Sequence, residues 1–240
     1  MPLTDKGMRA LIGQLLRWCV RIALGAIMFS ILLVTLFRFV PLPGSMVMLE
    51  RKATAIIDRE PMTIQYHWTP WRSLSDQAKL AVMAAEDQKF PYHYGFDLDQ
   101  VHAAIQAWQQ GRSLRGASTI SQQTAKNVFL WSDRSWLRKG LEVWFTMLIE
   151  LIWPKERILE VYLNVVEWDR GVFGLEAAAQ HYYGIGASQV TADQAARLAA
   201  VLPNPRNWSP IAPSARVAQR IAWVRQQMRQ LGGTRFLQRL

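Results

Sequence analysis

Residues Ile22 to Phe37 (IALGAIMFSILLVTLF) run without a charge between Arg21 and Arg38. With Trp18 to Val20 and Phe39 to Val40 the apolar stretch reaches about twenty residues, the length at which a helix crosses a hydrocarbon core. A cleaved export signal is the competing reading. The stretch exceeds the usual apolar core of such a signal, and it runs into Pro41-Leu42-Pro43-Gly44 rather than a small-residue cleavage site. The sequence therefore predicts a membrane anchor over 18–40, preceded by a short segment, 1–17. Lys6, Arg9, Arg17 and Arg21 lie before the span and Arg38, Arg51, Lys52 and Arg59 after it, so charge bias does not choose an orientation. Cys19, at the membrane edge, is the sole cysteine, which excludes a disulfide within the chain.

Beyond the anchor, 41–72 is punctuated by Pro41, Pro43, Pro61 and Pro70 and shows no helical period, so it reads as a stalk with an extended stretch around Ala53 to Tyr66. From residue 73 the signals are helical. Ser75 to Ala85 is rich in alanine and leucine, and Asp97 stands where it would cap a helix that Gly111 ends. Thr119-x-x-Gln122 and Thr191-x-x-Gln194 have the capping-box pattern, and Ala215 to Leu231 is amphipathic before Gly232-Gly233. No alternating strand run is found. A chain of 240 residues, half of them hydrophobic, has room for one medium domain, 73–240, besides the appendage. Its 28 Lys and Arg against 18 Asp and Glu leave a net charge of +10, which asks for an anionic partner. Next to a membrane span, a phospholipid surface or a phosphorylated substrate is favoured over nucleic acid.

Four blocks concentrate chemistry. Glu86-Asp87-Gln88-Lys89-Phe90-Pro91-Tyr92-His93-Tyr94-Gly95 places two carboxylates at the end of the first expected helix, where the negative end of the helix dipole raises proton affinity. Gly116 to Asn127 (GASTISQQTAKN) sets hydroxyl residues at a helix start with Gln122 and Lys126 on one face, an arrangement that anions and sugar hydroxyls favour. Arg134 to Glu142 puts three cations before a carboxylate one turn from Arg138. Lys155 to Asn164 continues helically, with Lys155–Glu160 or Arg157–Glu160 as candidate pairs. Singly, each block also reads as a solvated helix end or a capped, salt-bridged helix.

In this order and spacing the blocks resemble the glycosyltransferase family of peptidoglycan synthases, the lipid II polymerases called family 51. The resemblance is carried by E-D-x-x-F-x-x-H-x-G from Glu86, G-x-S-T-I-x-Q-Q from Gly116, R-K-x-x-E from Arg138 and K-x-x-I-L-E-x-Y-L-N from Lys155. Gly171 to Gly174 and Ala177 to Gly184 extend it, so that roughly residues 50 to 210 are covered. One departure is Tyr182-Tyr183-Gly184-Ile185, where the family often has a lysine after the glycine. A transpeptidase partner domain would need Ser-x-x-Lys and Lys-Thr-Gly, and neither occurs.

The resemblance implies a mainly α, lysozyme-like glycosyltransferase domain with a small membrane-associated jaw, to which Phe129 to Trp131 and Trp136-Leu137 would belong. Trp144 to Ile149 is expected to be a buried core helix instead. It implies polymerisation of lipid II into β-1,4-linked glycan with inversion and release of undecaprenyl pyrophosphate, with Glu86 as general base and Glu142 as the second essential carboxylate. Ser118, Gln122, Lys126, Asn127, Arg134, Arg138 and Lys139 would bind sugar and pyrophosphate. Asp87, Phe90, His93, Gly95, Arg157 and Glu160 would support them. Magnesium or manganese is the implied ion, without a dedicated ligand cluster. Zinc and nucleotide are not expected, because H-E-x-x-H, a cysteine pair and a Walker loop are all missing. The implied partners are lipid II, the growing strand, membrane lipids and proteins of cell-wall synthesis or division. The implied location is the cytoplasmic membrane, with 1–17 cytoplasmic and the catalytic domain on the periplasmic side. Two rivals remain: a lytic enzyme that cleaves finished glycan, and a non-catalytic membrane-anchored scaffold.

Overall fold

The computed structural model describes residues 5–110, 118–133 and 135–240, which divide into two units, Met1–Val40 and Pro41–Leu240. In the first, helix α1 (Asp5–Phe39) contains the stretch Gly13–Phe39, long and apolar enough to cross a membrane. Its 27 residues rise about 40 Å, more than the roughly 30 Å of a hydrocarbon core. Most of its large apolar side chains, such as Ile22, Phe29 and Leu32, are exposed.

The second unit opens with a helix that the proline pattern hides. Helix α2 (Met46–Ile57) begins at Ser45, whose hydroxyl accepts from the Met48 N–H, and runs through a stretch expected to be irregular. Pro41 and Pro43 lie just before this N-cap and Pro61 beyond the C-cap, so they bound the helix rather than forbid it. Strand β1 (Gln65–Tyr66) comes next, then helix α3 (Asp76–Glu86) and helix α4 (Leu98–Gln109). Ser75 caps α3, and Asp97 caps α4 by accepting from the Gln100 N–H at 3.1 Å. Gly111, the expected end of α4, lies outside the described residues.

Helices α5 (Ile120–Phe129), α6 (Trp136–Ile152) and α7 (Lys155–Val165) come after these, then strands β2 (Glu167–Asp169) and β3 (Val172–Phe173). The chain continues through α8 (Leu175–Tyr183), α9 (Ala192–Val201) and α10 (Ala215–Gln230). Both expected capping boxes form, at Thr119/Gln122 and Thr191/Gln194. The small sheet has order β1-β3-β2, with β1 parallel and β2 antiparallel to β3. Strands of two or three residues are too short to show a period of two, which is why no strand pattern is visible in the sequence.

Two helical clusters hold the unit together. In one, α3 packs on α9 and α10; Ala78, Ala81, Ala84, Ala195, Ala196, Ala199 and Ala200 are all buried, and such small side chains let helix axes approach closely. In the other, α5 lies against α6 and α7. The Trp144 to Ile149 stretch of α6 is amphipathic rather than wholly buried. Glu142, Thr146 and Ile149 form its inward stripe, while Met147 and Leu151 are exposed. Trp136 and Leu137 at its start are exposed as well, Trp136 to 93%.

Candidate active site

Glu86 is the last residue of α3, and its side chain is only 14% exposed. Gln123 Nε2 on α5 donates to its Oε2 at 3.0 Å, and Arg220 Nη2 on α10 donates to its Oε1 at 3.1 Å. Arg220 is itself fixed, donating to the Ala85 and Ala200 carbonyls at 3.4 and 3.2 Å. The fully buried Tyr162 donates its hydroxyl to Gln123 Oε1 at 3.1 Å, which turns the amide NH2 of Gln123 toward the carboxylate. Burial holds the Glu86 carboxyl above the ordinary carboxylate range. The Gln123 bond and the Arg220 charge oppose that shift, and the Asp87 charge adds to it.

Asp87, one residue on, points into the protein. Its Oδ2 accepts from the Ile120 N–H at 3.0 Å at the start of α5 and lies 2.9 Å from His93 Nε2. His93 Nδ1 accepts from the Gly95 N–H at 3.1 Å, so this network assigns the proton to Nε2. Gly95 has φ +86°, and a Cβ there would stand 2.7 Å from Thr146 Cγ2 on α6. Its carbonyl accepts from the Thr119 hydroxyl at 2.6 Å. Lys155 Nζ donates to the His93 carbonyl at 2.6 Å and to Glu150 at 2.8 Å, and stands over the buried Phe90 ring at 4.5 Å. The motif from Glu86 to Gly95 is thus a carboxylate facing the site, followed by a bracket that fastens α3 to the starts of α5 and α7.

A second cluster surrounds Glu142, which is buried on α6. Arg138 Nη1 donates to its Oε2 at 2.6 Å and Lys139 Nζ to its Oε1 at 2.5 Å. Lys126 on α5 faces Glu142, Arg138, Lys139 and Arg51, the last from α2. Burial pulls the Lys126 ammonium below the ordinary lysine range, Glu142 opposes this, and the three neighbouring cations reinforce it. Arg51 also donates to Glu167 Oε2 at 3.2 Å, and Arg138 Nε is buried with no hydrogen-bond partner among the described residues. Crowded, partly desolvated cations are an arrangement that a multiply charged oxyanion would relieve.

Helix α5 joins the two clusters. Gln123 and Lys126 are three residues apart on one face, so their Cβ atoms lie about 5–6 Å from each other. Of the other expected binders, Ser118 is exposed beside this helix start, Asn127 is buried, and the Gln122 side chain accepts from the Thr119 N–H within the capping box. Arg134 and Gly116 lie outside the described residues. Arg157 pairs with Glu160 at 2.6 Å and stands over the Trp68 ring, while Glu160 also accepts from the Trp71 N–H at 2.7 Å, bracing the segment before α3. Lys155 pairs with Glu150 rather than Glu160.

Sequence reasoning missed Arg51, Gln123, Tyr162 and Arg220 as contributors. Gln123 and Tyr162 stand inside the family motifs and were open to recognition there; Arg51 and Arg220 carry no local signal. Among the described residues no three of His, Cys, Asp and Glu converge as a metal site, and both Glu142 oxygens are taken by cations. Among the described residues, then, no side-chain cluster forms that would hold magnesium or manganese unaided.

The transglycosylase family profile matches residues 54–229. A biosynthetic peptidoglycan transglycosylase of Chromohalobacter salexigens is 64% identical over 225 residues, covering 94% of this chain and 96% of that protein. One from Pseudomonas fluorescens is 57% identical over 230 residues, with the same coverage of both chains. Another, from Stutzerimonas stutzeri, is 58% identical over 220 residues, covering 92% of this chain and 91% of that one. Motifs, helical fold, paired clusters and near full-length similarity agree: this chain belongs to the transglycosylase family.

Proposed function

We propose that this peptidoglycan glycosyltransferase polymerises lipid II, with Glu86 as general base. The observation that carries the reading is the pairing of a buried carboxylate, held by Gln123 of α5, with a cluster of cations around Lys126, one turn further along that helix. Each Glu86 oxygen accepts one hydrogen bond and keeps a lone pair, so the carboxylate can take a proton while staying oriented. The acceptor sugar's 4-hydroxyl gives that proton to Glu86 as its oxygen attacks the anomeric carbon of the growing strand. The bond from that carbon to the diphosphate oxygen breaks, and its electron pair leaves on undecaprenyl pyrophosphate. Attack opposite the leaving group inverts the anomeric centre. Lys126, Arg138, Lys139 and Arg51 meet the developing charge.

Glu142 acts in this reading as the anion that keeps Arg138 and Lys139 together before substrate arrives. A divalent ion carried in on the diphosphate would belong to the substrate. Because the acceptor is displayed outside the cytoplasm, the catalytic domain lies on that side and 1–17 in the cytoplasm. Cell-wall synthesis or division proteins are the partners this reading allows.

The test is polymerisation of labelled lipid II by wild type and Glu86→Gln, with and without magnesium, resolved as strands on a gel. A loss of about a hundredfold or more is expected for the variant. Shortening of added mature glycan, without new strands from either protein, would sink the reading in favour of a lytic enzyme.

A further inference from the structure

Helix α2 has two apolar sides. At 100° per residue, Val47, Met48, Arg51 and Ala55 fall on the side that faces the protein. Met46, Leu49, Ala53, Ile56 and Ile57 fall in an opposite stripe about 100° wide. That stripe is open: Leu49 is 62% exposed, Ile56 69% and Ile57 78%. A stripe of this kind has no reason to persist in water, and three observations identify what covers it.

Only the five residues Pro41–Ser45 separate the membrane span from α2 along the chain, so the helix is tethered next to whatever the span enters. Lys52 sits at the edge of the stripe and Arg59 just past the helix, both exposed, where long cationic side chains reach headgroups. Glu50 accepts from the Ser132 N–H and hydroxyl at 2.9 and 2.7 Å, tying α2 to the turn before Trp136 and Leu137, themselves exposed apolar groups.

We propose that α2 is an interfacial helix: its Met46–Leu49–Ala53–Ile56–Ile57 stripe lies in the outer acyl region of the bilayer, and Arg51 is thereby held at headgroup level. A helix with its side chains is about 10–12 Å across, so a group on the far side of a helix seated in the acyl boundary stands at phosphate depth. The cation pocket that Arg51 joins then meets the diphosphate of a lipid-borne donor without lifting its hydrocarbon tail out of the bilayer. This second step rests on the reading that the donor is a lipid diphosphate. The family profile starts at residue 54, so the first two turns of α2 lie outside the matched segment.

The test uses the full chain with Cys19→Ser, single cysteines at positions 49, 53, 56 and 52, and an environment-sensitive fluorophore, reconstituted in phosphatidylethanolamine–phosphatidylglycerol vesicles. Labels at 49, 53 and 56 are expected to emit to the blue and to be quenched by a nitroxide high on the lipid acyl chain. The label at 52 is expected to be quenched by aqueous iodide. Iodide quenching at 49, 53 and 56 as strong as at the exposed position 218 on α10 would overturn the proposal. So would shielding from both quenchers, which would mean that protein covers the stripe.

Leu49→Glu with Ile56→Glu is expected to raise the apparent KM for a vesicle-borne donor about ten-fold or more, with the detergent unfolding midpoint held. An unchanged KM alongside lipid quenching would overturn the placing of Arg51 at the diphosphate. Lipid quenching of the labelled variants together with no strands from wild type would sink the catalytic reading and leave the helix placement standing.

Discussion

Glu86 is held by donors from two helices that pull against its burial, and its titration is the most direct readout of that balance. As the base it works ionised, so the acid limb of kcat/KM is expected above the ordinary carboxylate range. Arg220→Gln should move that limb further up, because a cation favouring the charged form is removed. The opposite limb belongs to Lys126. Its charge is lost at a lower pH than an ordinary lysine's, so donor binding is expected to weaken early on the alkaline side, and Lys126→Arg should shift this limb upward. Folding responds with its own sign. A carboxyl whose folded pKa is raised contributes most below its unfolded pKa and loses that contribution as pH rises through the folded value. Once ionised, Glu86 therefore opposes folding, and at a pH above its folded pKa Glu86→Gln is expected to raise the melting temperature while abolishing strand growth. The sequence singled out Glu86, Glu142, Lys126, Arg138 and Lys139 because each stands in a local block rich in polar and charged groups, and the structure gathers them around α5. Arg220 was not legible, since nothing around it signals a partner 134 residues away.

At the scale of elements, the bracket after Glu86 is where packing decides geometry. Gly95→Ala would place a methyl against Thr146 at a positive φ, and a cost of about 1–3 kcal/mol is expected in thermal or denaturant unfolding. Asp87→Asn is the sharper case: its fully buried carboxylate serves both His93 and the Ile120 N–H, and replacement is expected to cost about 2–4 kcal/mol and to loosen the start of α5. Helices that announce themselves by caps, such as α5 and α9, were readable from Thr-x-x-Gln alone. Helix α2 escaped because its prolines suggested a stalk and its two apolar stripes blur the single period by which an amphipathic helix is recognised. The strands escaped because β1 and β3 pair across more than a hundred residues and each has only two.

For the whole molecule, the division at Val40 means that the second unit carries its own core. Deleting 1–40 is expected to leave its unfolding midpoint within a few degrees, measured by circular dichroism, while lowering activity on vesicle-borne donor far more than on donor in detergent. The mainly helical class was evident from caps and helical stretches and the candidate span from one apolar run, while the lysozyme-like form was implied by the family resemblance; the way α3, α5 and α10 converge on a single carboxylate was not legible, because it is a product of tertiary packing. That convergence bears on the order of biosynthesis. A chain that enters the membrane by its first forty residues presents Glu86 and the cation motifs well before residue 220 has been made. Until α10 emerges and docks, α3 lacks a helix it packs against and the carboxylate lacks the guanidinium that steadies it, so a stalled or prematurely ended polypeptide would display every recognisable motif around an unfinished site.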